Sequence, residues 1–300
     1  MNCAISVLQI FKVRVSAKQC LSKSFVRLTF SSERVKEMAL YGPDQWIKLL
    51  FDNLTGERFA VPEKIDGYRY YQSLSKTNRP RLRSYTLREF RPLQDEFDVD
   101  FVLHSGSNCA SLWALEAAVG DQIYIRCHCA GNNRARAGFV WSPPKQVKQL
   151  LLVADETALP AALSIIDSLS KQSKKPLINA YFCVPNASDC LLGTTWPQLH
   201  IHWLVRDDKN TTELNTQMLT ALDSLVLPKS ALKQHSRQSL DTTDKLWQLA
   251  NSDTEGSFYA WVAGERAMVE GLRRLLLTTK KIDKKLISFM AYWRRGRAAQ

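Results

Sequence analysis

The order of hydrophobic and polar residues divides the chain into two halves that differ in period. In the first half, short runs rich in β-branched and aromatic residues alternate with polar ones, as in residues 98–102, a pattern typical of half-buried strands. Several short strands separated by loops favour a small antiparallel barrel. We predict six strands there, at residues 9–15, 25–30, 46–51, 83–88, 97–104 and 122–129, and one short helix at 110–119 that ends at Gly120.

The second half alternates strands and helices, which predicts a parallel α/β sheet. Residues 149–154 form a continuous apolar run, as in a strand buried on both faces, and helical spacing follows at 157–169. The boundary is predicted at the stiff Pro143-Pro144 pair, which gives a barrel domain over residues 1–142 and an α/β domain over residues 143–300. Further strands are predicted at 178–184, 200–205, 258–263 and 287–292, further helices at 211–225 and 265–277, and a long polar loop at 228–253.

The composition is that of a globular protein, with 45% hydrophobic and 23% charged residues in a chain of 300. The longest apolar runs fall well short of the roughly 18 residues that a membrane span needs, so we expect no membrane insertion. Lys12 and Arg14 follow the N-terminal apolar stretch, which is the wrong order for a signal peptide. With seven irregularly spaced cysteines, this favours a reducing compartment, and we expect a cytoplasmic protein.

The net charge of +12 suits nucleic acid, an anionic membrane or an anionic small ligand. No recognition helix, finger spacing or aromatic platform motif accompanies the charge, so we expect no nucleic-acid partner. The basic residues form local clusters, each equally consistent with a solvated face, at residues 79–88, 134–136, 280–285 and 294–297.

One short motif carries chemistry. Arg83-Ser84-Tyr85-Thr86 resembles the flavin-binding Arg-x-Tyr-Ser/Thr signature of the ferredoxin-reductase superfamily, whose layout is also a barrel followed by an α/β domain. Arginine can clamp an anionic diphosphate, tyrosine can stack on the isoalloxazine ring, and the threonine hydroxyl can reach the N5 or O4 edge of the flavin. The alternative is an ordinary strand with an exposed arginine, because four residues alone make a weak motif.

A longer resemblance supports the flavin interpretation. Eight ordered blocks resemble siderophore-interacting proteins, in particular the vibriobactin-utilisation type, and they lie at residues 42–51, 85–88, 98–104, 110–114, 120–121, 155–161, 261–265 and 292–296. The resemblance implies an FAD-binding barrel domain and an NAD(P)H-binding-like α/β domain. It implies FAD contacts at Arg83, Ser84, Tyr85, Thr86, His104, Ala110 and Ser111, with the two residues Tyr85 and Thr86 at the reacting edge of the flavin. The backbone N–H groups at the start of the helix near Ala110 would face the diphosphate.

The chain departs from that family at two places. Asn108-Cys109 replaces a Gly-Pro pair, and Cys127-His128-Cys129 stands where Gly-Pro-Arg-Gly is usual. The second segment is not a metal site by its spacing, because a strand places both sulfurs on one face with His128 opposite. We expect packed thiols there, and exposed cross-strand residues at His200 and His202.

The α/β domain has no Gly-x-Gly-x-x-Gly after its first strand. Asp155-Glu156-Thr157 stands there instead, with Thr157 as a helix N-cap. Two carboxylates weaken the case for a nicotinamide dinucleotide at this edge, yet family position implies that Asp155 and Thr157 contact it. The resemblance implies NAD(P)H as the electron donor in some members and ferredoxin in others.

The substrate implied by the resemblance is a ferric siderophore, and the positive charge favours a catecholate, which carries several negative charges. Family position suggests Lys48 for this anion, with Arg266 and Arg294 as weaker candidates. The implied activity is an FAD-dependent ferric-siderophore reductase. Three other functions stay open: a flavodoxin or ferredoxin reductase, a siderophore-binding protein without turnover and, least favoured, a nucleic-acid-binding protein.

Overall fold

A computed structural model describes residues 8–103, 109–130, 137–191, 193–206, 211–232 and 247–296; in it, only the backbone of 109, 211–215 and 230 is described. The chain divides into two compact units, Met1–Phe139 and Val140–Ala299. In the described ranges, every helix is too short or too polar to span a bilayer. Residue His104, one of the predicted FAD contacts, lies outside the described residues, as do residues 131–136 with their two arginines.

The first unit contains one antiparallel sheet of seven described strands, in the order β4-β3-β7-β1-β2-β6-β5. Its helices are α1 (Gly67–Ser73) and α2 (Cys109–Glu116). Helix α1 was not predicted. The strands are β1 (Leu8–Cys20), β2 (Phe25–Ser31), β3 (Trp46–Phe51), β4 (Arg81–Thr86), β5 (Glu89–Arg91), β6 (Glu96–Val102) and β7 (Gln122–His128).

The predicted count of six strands is wrong for this sheet, because the predicted strand 83–88 is divided in two. The backbone N–H of Leu87 donates to Gln45 next to β3, but the N–H of Arg88 donates to Asp98 of β6. The chain therefore leaves one end of the sheet and joins the other, and β5 pairs with β6. A sheet whose two ends approach each other in this way is curled into a half-barrel.

Alternate residues of each strand fill the inside of the curl. The buried cluster is built mostly from aromatic and branched side chains, as period-2 patterning requires: Phe11, Val13, Leu28, Phe30, Ile47, Leu49, Phe97, Val99, Phe101 and Ile125 are among its members. We call the opposite side of the sheet its outer face. Lys48 and Arg126 have positions on the outer face, since each lies between core residues along its strand. Ser84 shares that face because it is the register partner of Lys48.

The second unit contains a six-stranded sheet in the order β10-β9-β8-β12-β13-β11. Five strands are parallel, as predicted, and β11 is an antiparallel edge strand paired with β13. The predicted loop 228–253 missed β11, which is only two residues long and so shows no period. The elements are β8 (Gln149–Ala154), α3 (Leu159–Ser170), β9 (Leu177–Val184), β10 (Leu199–Val205), α4 (Thr211–Asp223), β11 (Trp247–Gln248), β12 (Phe258–Glu265), α5 (Arg266–Arg274) and β13 (Ile287–Trp293).

Candidate functional site

The predicted flavin signature occupies β4, the terminal strand of the first sheet. Arg83 and Tyr85 lie opposite Leu49 and Ile47 of β3, so these two side chains share the core side of the sheet. Ser84 and Thr86 therefore share the outer face. The Arg83 Nη1 donates to the Leu82 carbonyl at 2.9 Å, and both Arg83 and Tyr85 are half-buried. The strand thus offers a guanidinium and an aromatic ring on one face and two hydroxyls on the other.

Tyr85 is packed at the mouth of the core. Its ring centroid lies 4.4 Å from that of Phe101, with the planes tilted by 42°. Trp113 of α2 also contacts Phe101, at 6.1 Å, and stacks on Phe30 at 6.3 Å. The aromatic cluster fixes the direction of Tyr85, while Thr86 is buried with 8% exposure.

The first turn of α2 contains Ala110 and Ser111, and both are buried. The Ser111 hydroxyl donates to the Val102 carbonyl at 3.0 Å and so connects the helix to the end of β6. These two residues can therefore contact a diphosphate only through their backbone N–H groups, which are the donors available at the start of a helix.

Lys48 lies in the middle of a polar row across three strands. Its register partners are Ser84 of β4 and Arg126 of β7, and its Nζ donates to the Ser84 hydroxyl at 3.1 Å. Burial, and then the nearby Arg126, lowers the pKa of Lys48 below its ordinary value. Arg126 was not predicted as a site residue, because only the register of β3 against β7 places it beside Lys48.

Asp155, at the end of β8, is buried, and its carboxylate is hydrogen-bonded within the protein. Its carboxylate accepts hydrogen bonds from the backbone N–H groups of Thr157, Ala158 and Glu265, from the Thr157 hydroxyl and from the Trp293 indole. Gly264 permits this approach: its φ is +149°, and a Cβ there would meet the Asp155 carboxyl carbon at 2.7 Å. Asp155 therefore joins the carboxyl ends of β8, β12 and β13.

This network changes two expectations. The N-cap of α3 is Ala158 and not Thr157. The Thr157 hydroxyl donates to the Asp155 carboxylate, the Leu159 N–H donates to the Asp155 backbone carbonyl, and Pro160 has no N–H to be capped. Glu156 is paired with Arg206, at 2.8 Å, so its negative charge is balanced within the protein. Nicotinamide contacts at Asp155 and Thr157 stay a prediction.

The two weaker anion candidates lie at the carboxyl edge of the same sheet. Arg266 is the first residue of α5, and its Nε pairs with Glu270 at 2.8 Å. Arg294 follows β13 and is exposed. Both residues have the position that was expected for them, and their role stays a prediction.

The cysteine and histidine predictions concern packing. Cys127 and Cys129 are buried in the first core, and burial raises the pKa of both thiols, that of Cys129 to about 11. His202 is exposed and stacks on its cross-strand neighbour Tyr181, with ring centroids 4.6 Å apart. In the part of the chain that the structure describes, no group of three or more potential metal ligands comes together. The thiols of Cys127 and Cys129 are therefore packed in the core, as expected.

A curled antiparallel sheet with this signature on its terminal strand, followed by a mainly parallel α/β unit, defines the class of the ferredoxin-reductase-like fold. Solved ferredoxin reductases match 95% of the chain with TM-scores of 0.59 and 0.54. The siderophore-interacting protein SipS from Aeromonas hydrophila matches 97% of the chain and 94% of its own, at 20% identity and a TM-score of 0.71. These likenesses establish the fold.

The family follows from the sequence comparisons. Residues 14–127 match the siderophore-interacting FAD-binding domain, and residues 147–296 match the siderophore-interacting protein family. The chain belongs to the siderophore-interacting protein family. It is 24% identical to the ferric vibriobactin reductase ViuB of Vibrio cholerae, over 93% of this chain and 88% of that protein. It is 25% identical to the NADPH-dependent ferric-chelate reductase of Escherichia coli, over 91% and 88%.

The described residues fit FAD. Half-buried Arg83 would provide a cation for the diphosphate, Tyr85 would provide a fixed ring, and the buried first turn of α2 would provide backbone N–H donors. As a terminal strand, β4 also has a backbone edge that does not pair with another strand of the described sheet. Such an edge suits the polar rim of a planar ring system.

Proposed function

We propose that this protein is an FAD-dependent ferric-siderophore reductase that passes electrons from NAD(P)H to siderophore-bound Fe(III) and releases Fe(II) in the cytoplasm. The observation that carries the proposal is the Arg83–Thr86 signature on β4, inside a domain that matches the family's FAD-binding model. The names of the two relatives, a ferric vibriobactin reductase and an NADPH-dependent ferric-chelate reductase, support the reaction.

Each part of the chain has an assigned role in this reaction. Bound FAD would couple the two-electron oxidation of one NAD(P)H, to NAD(P)⁺ and a proton, to the one-electron reduction of two Fe(III) to two Fe(II). Arg83 and the first turn of α2 bind the diphosphate, and Tyr85 and Thr86 orient the ring. Lys48 attracts the anionic chelate, assisted by Arg266 and Arg294. Asp155 shapes the edge for the nicotinamide through Thr157.

Anaerobic mixing of the FAD-loaded protein with NADPH, NADH or reduced ferredoxin tests the proposal. We expect at least one donor to bleach the flavin band and, once a ferric tris-catecholate and a ferrous chelator are added, two Fe(II) per NAD(P)H. Flavin reduction with no Fe(II) would favour a flavodoxin or ferredoxin reductase. Chelate binding by a protein that takes up no FAD would favour a binding protein without turnover.

Arg83→Ala is expected to weaken FAD binding by about 1.5 to 3 kcal/mol, roughly tenfold to 150-fold, because a charge-assisted contact with the diphosphate is lost. Equilibrium dialysis with FAD measures the change. Arg81→Ala is the matched control, since Arg81 lies on the same strand and face but donates to the Asp52 carbonyl. Equal FAD affinity in wild type and Arg83→Ala would show that the diphosphate lies elsewhere.

A further inference from the structure

Lysines collect at the end of the second sheet where its parallel strands begin, which we call the amino-terminal edge. The backbone N–H of Lys148 donates to the Ser257 carbonyl, and the Leu177 N–H donates to the Lys148 carbonyl, both at 2.8 Å, so the starts of β8, β9 and β12 meet there. Eight lysines lie in the segments that lead into β8, β9 and β13: Lys145, Lys148, Lys171, Lys174, Lys175, Lys281, Lys284 and Lys285. Lys284 is half-buried, and the other seven are exposed.

These lysines have no carboxylate partner among the described residues. The ion pairs described in the second unit use other cations, namely Arg206, Arg266 and Lys280. The Asp283 carboxylate accepts the backbone N–H of Lys285 at 3.0 Å and so fixes the turn before β13. The exposed Asp253 and Glu255 precede β12, and two carboxylates are too few to balance eight lysines. The amino-terminal edge therefore has an excess of positive charge.

Exposed aliphatic side chains lie among these lysines. Leu249 is 49% exposed, and the N–H of Asn251, two residues later, donates to the Lys285 carbonyl at 2.8 Å. Val226 is 84% exposed and follows α4, which starts after the carboxyl end of β10 and therefore ends at the amino-terminal edge. Leu177, the first residue of β9, is exposed as well. The edge thus combines positive charge with apolar side chains that gain free energy by leaving water.

The carboxyl ends of the same strands have a different kind of cation. There, Arg206 and Arg266 each pair with a glutamate at 2.8 Å. Arginine makes directed contacts with two donors, whereas lysine acts as a point charge on a flexible stem. At the amino-terminal edge, lysines in three separate segments extend over β9, β8, β12 and β13, which is about 15 Å at the usual strand spacing. Such an arrangement fits a broad, diffuse negative charge better than one small ligand.

We propose that the amino-terminal edge of the second sheet binds the surface of an anionic lipid bilayer. The lysines lie at the level of the anionic headgroups, and Val226, Leu249 and Leu177 enter the interfacial layer. Aliphatic side chains favour a bilayer over a nucleic acid, whose bases stack on aromatic rings. The carboxyl end of β8, where Asp155 lies, is about 20 Å away along the strand and takes no part in this contact.

Flotation of the FAD-loaded full chain with lipid vesicles tests this inference. One set of vesicles is pure phosphatidylcholine, and in the other set about one third of the lipid is phosphatidylglycerol. We expect binding to the anionic vesicles only, and we expect it to weaken as salt screens the charges. Equal binding to both sets of vesicles, or binding to neither, would overturn the inference.

A triple variant tests the lysines directly, and it combines Lys148→Gln, Lys174→Gln and Lys175→Gln. Binding to anionic vesicles is expected to weaken about fivefold per lysine, and so about a hundredfold in total. Arginine at the same three positions keeps the charge and is expected to restore binding, which guards against a folding defect. The matched control removes three exposed lysines from separate turns of the first unit, with Lys23→Gln, Lys36→Gln and Lys76→Gln. Equal losses in the two glutamine variants would mean that only the net charge matters, and the inference would be wrong.

The aliphatic side chains have their own test. Val226→Ser and Leu249→Ser are each expected to weaken vesicle binding about threefold to tenfold, and salt should not remove this difference. Leu93→Ser is the control, since Leu93 is fully exposed on the first unit, and it is expected to bind like wild type. If both serine variants bind like wild type, or if double-stranded DNA binds as tightly through the same lysines, the bilayer is the wrong partner. FAD content and Fe(II) release in solution do not depend on this edge, so these results leave the proposed function unaffected.

Discussion

The outer face of the first sheet has basic residues at both ends, but they are paired with carboxylates at only one of these ends within the described residues. Around β2, β5 and β6, Arg27 makes a two-point contact with Asp100 at 2.6 and 2.9 Å, and Arg91 makes another with Asp98 at 2.9 and 2.7 Å. At the other end, Lys48 and Arg126 face each other with no carboxylate among the described residues. The two-point contacts stabilise the paired arginines, whereas the like charges of Lys48 and Arg126 repel each other.

The pKa values show the same difference. Burial alone would raise the pKa of Asp98, but its hydrogen bonds with Arg91 and Thr29 outweigh burial and hold the pKa below the ordinary value. For Lys48, burial and Arg126 act in the same direction and lower the pKa. The surroundings of Asp98 thus favour its charged form, and those of Lys48 disfavour its charged form.

The largest effect is expected from breaking the paired end. Asp100→Ala leaves Arg27 without its carboxylate, and Arg88 Nε, 3.7 Å from the same group, loses it as well. We expect a loss of about 3 kcal/mol in the free energy of unfolding, measured by urea denaturation, because the Asp100 side chain is only 1% exposed. Glu89→Ala is the control: Glu89 pairs with Arg91 but its side chain is 58% exposed, and we expect less than about 0.5 kcal/mol. Equal losses would remove the distinction between buried and exposed pairs.

In this paired network, the strand could be predicted from the sequence but its ion pairs could not. The alternation in Asp98-Val99-Asp100-Phe101 correctly predicted a strand, since period 2 is a local property. It could not predict that the two aspartates neutralise arginines of β2 and β5, because partners depend on register between distant strands. The missed elements α1 and β11 are short, and a helix of seven residues, about two turns, or a strand of two residues leaves too little periodicity to detect.

The candidate site also contains residues that the sequence predicts and residues that it does not predict. The motif Arg83–Thr86 was recognisable because its four residues are contiguous, and Lys48 followed from family position. Arg126 carried no signal, since it is one basic residue in a strand until β7 is paired with β3. Asp155 was found for its position, but its five hydrogen bonds come from residues up to 138 positions away, so its structural role was invisible.

Asp155 sharpens the comparison, because it is an acid stabilised by N–H and O–H donors and not by a cation. Burial, and then Glu156, outweighs these donors, which lower the pKa, and raises the pKa of Asp155 to about 6. The folded chain therefore holds this proton more tightly than the unfolded chain, and the contribution of Asp155 to stability falls as the pH rises from about 4 to about 6. We expect a fall on the order of 2 kcal/mol, visible as a pH slope in thermal unfolding that is lost in Asp155→Asn. The exposed Asp253→Asn should keep the slope; a slope retained in Asp155→Asn would assign it to another group.

The smallest effect is expected at Lys48 and Arg126. The sign of the change in the free energy of unfolding shows whether this end of the sheet differs from the end with paired arginines. Lys48→Met keeps the length of the side chain and removes the charge that faces Arg126, so we expect the free energy of unfolding to rise by about 0.5 kcal/mol, opposite in sign to Asp100→Ala. The gain should be complete at a pH below the lowered pKa of Lys48, where this residue is charged, and should vanish as the pH rises through that pKa, because the wild-type residue is then neutral as well. The exposed Lys12→Met on β1 is the control and should show no such dependence. A loss of stability in Lys48→Met, at any pH, would mean that this lysine belongs to the fold in the same way as Arg27.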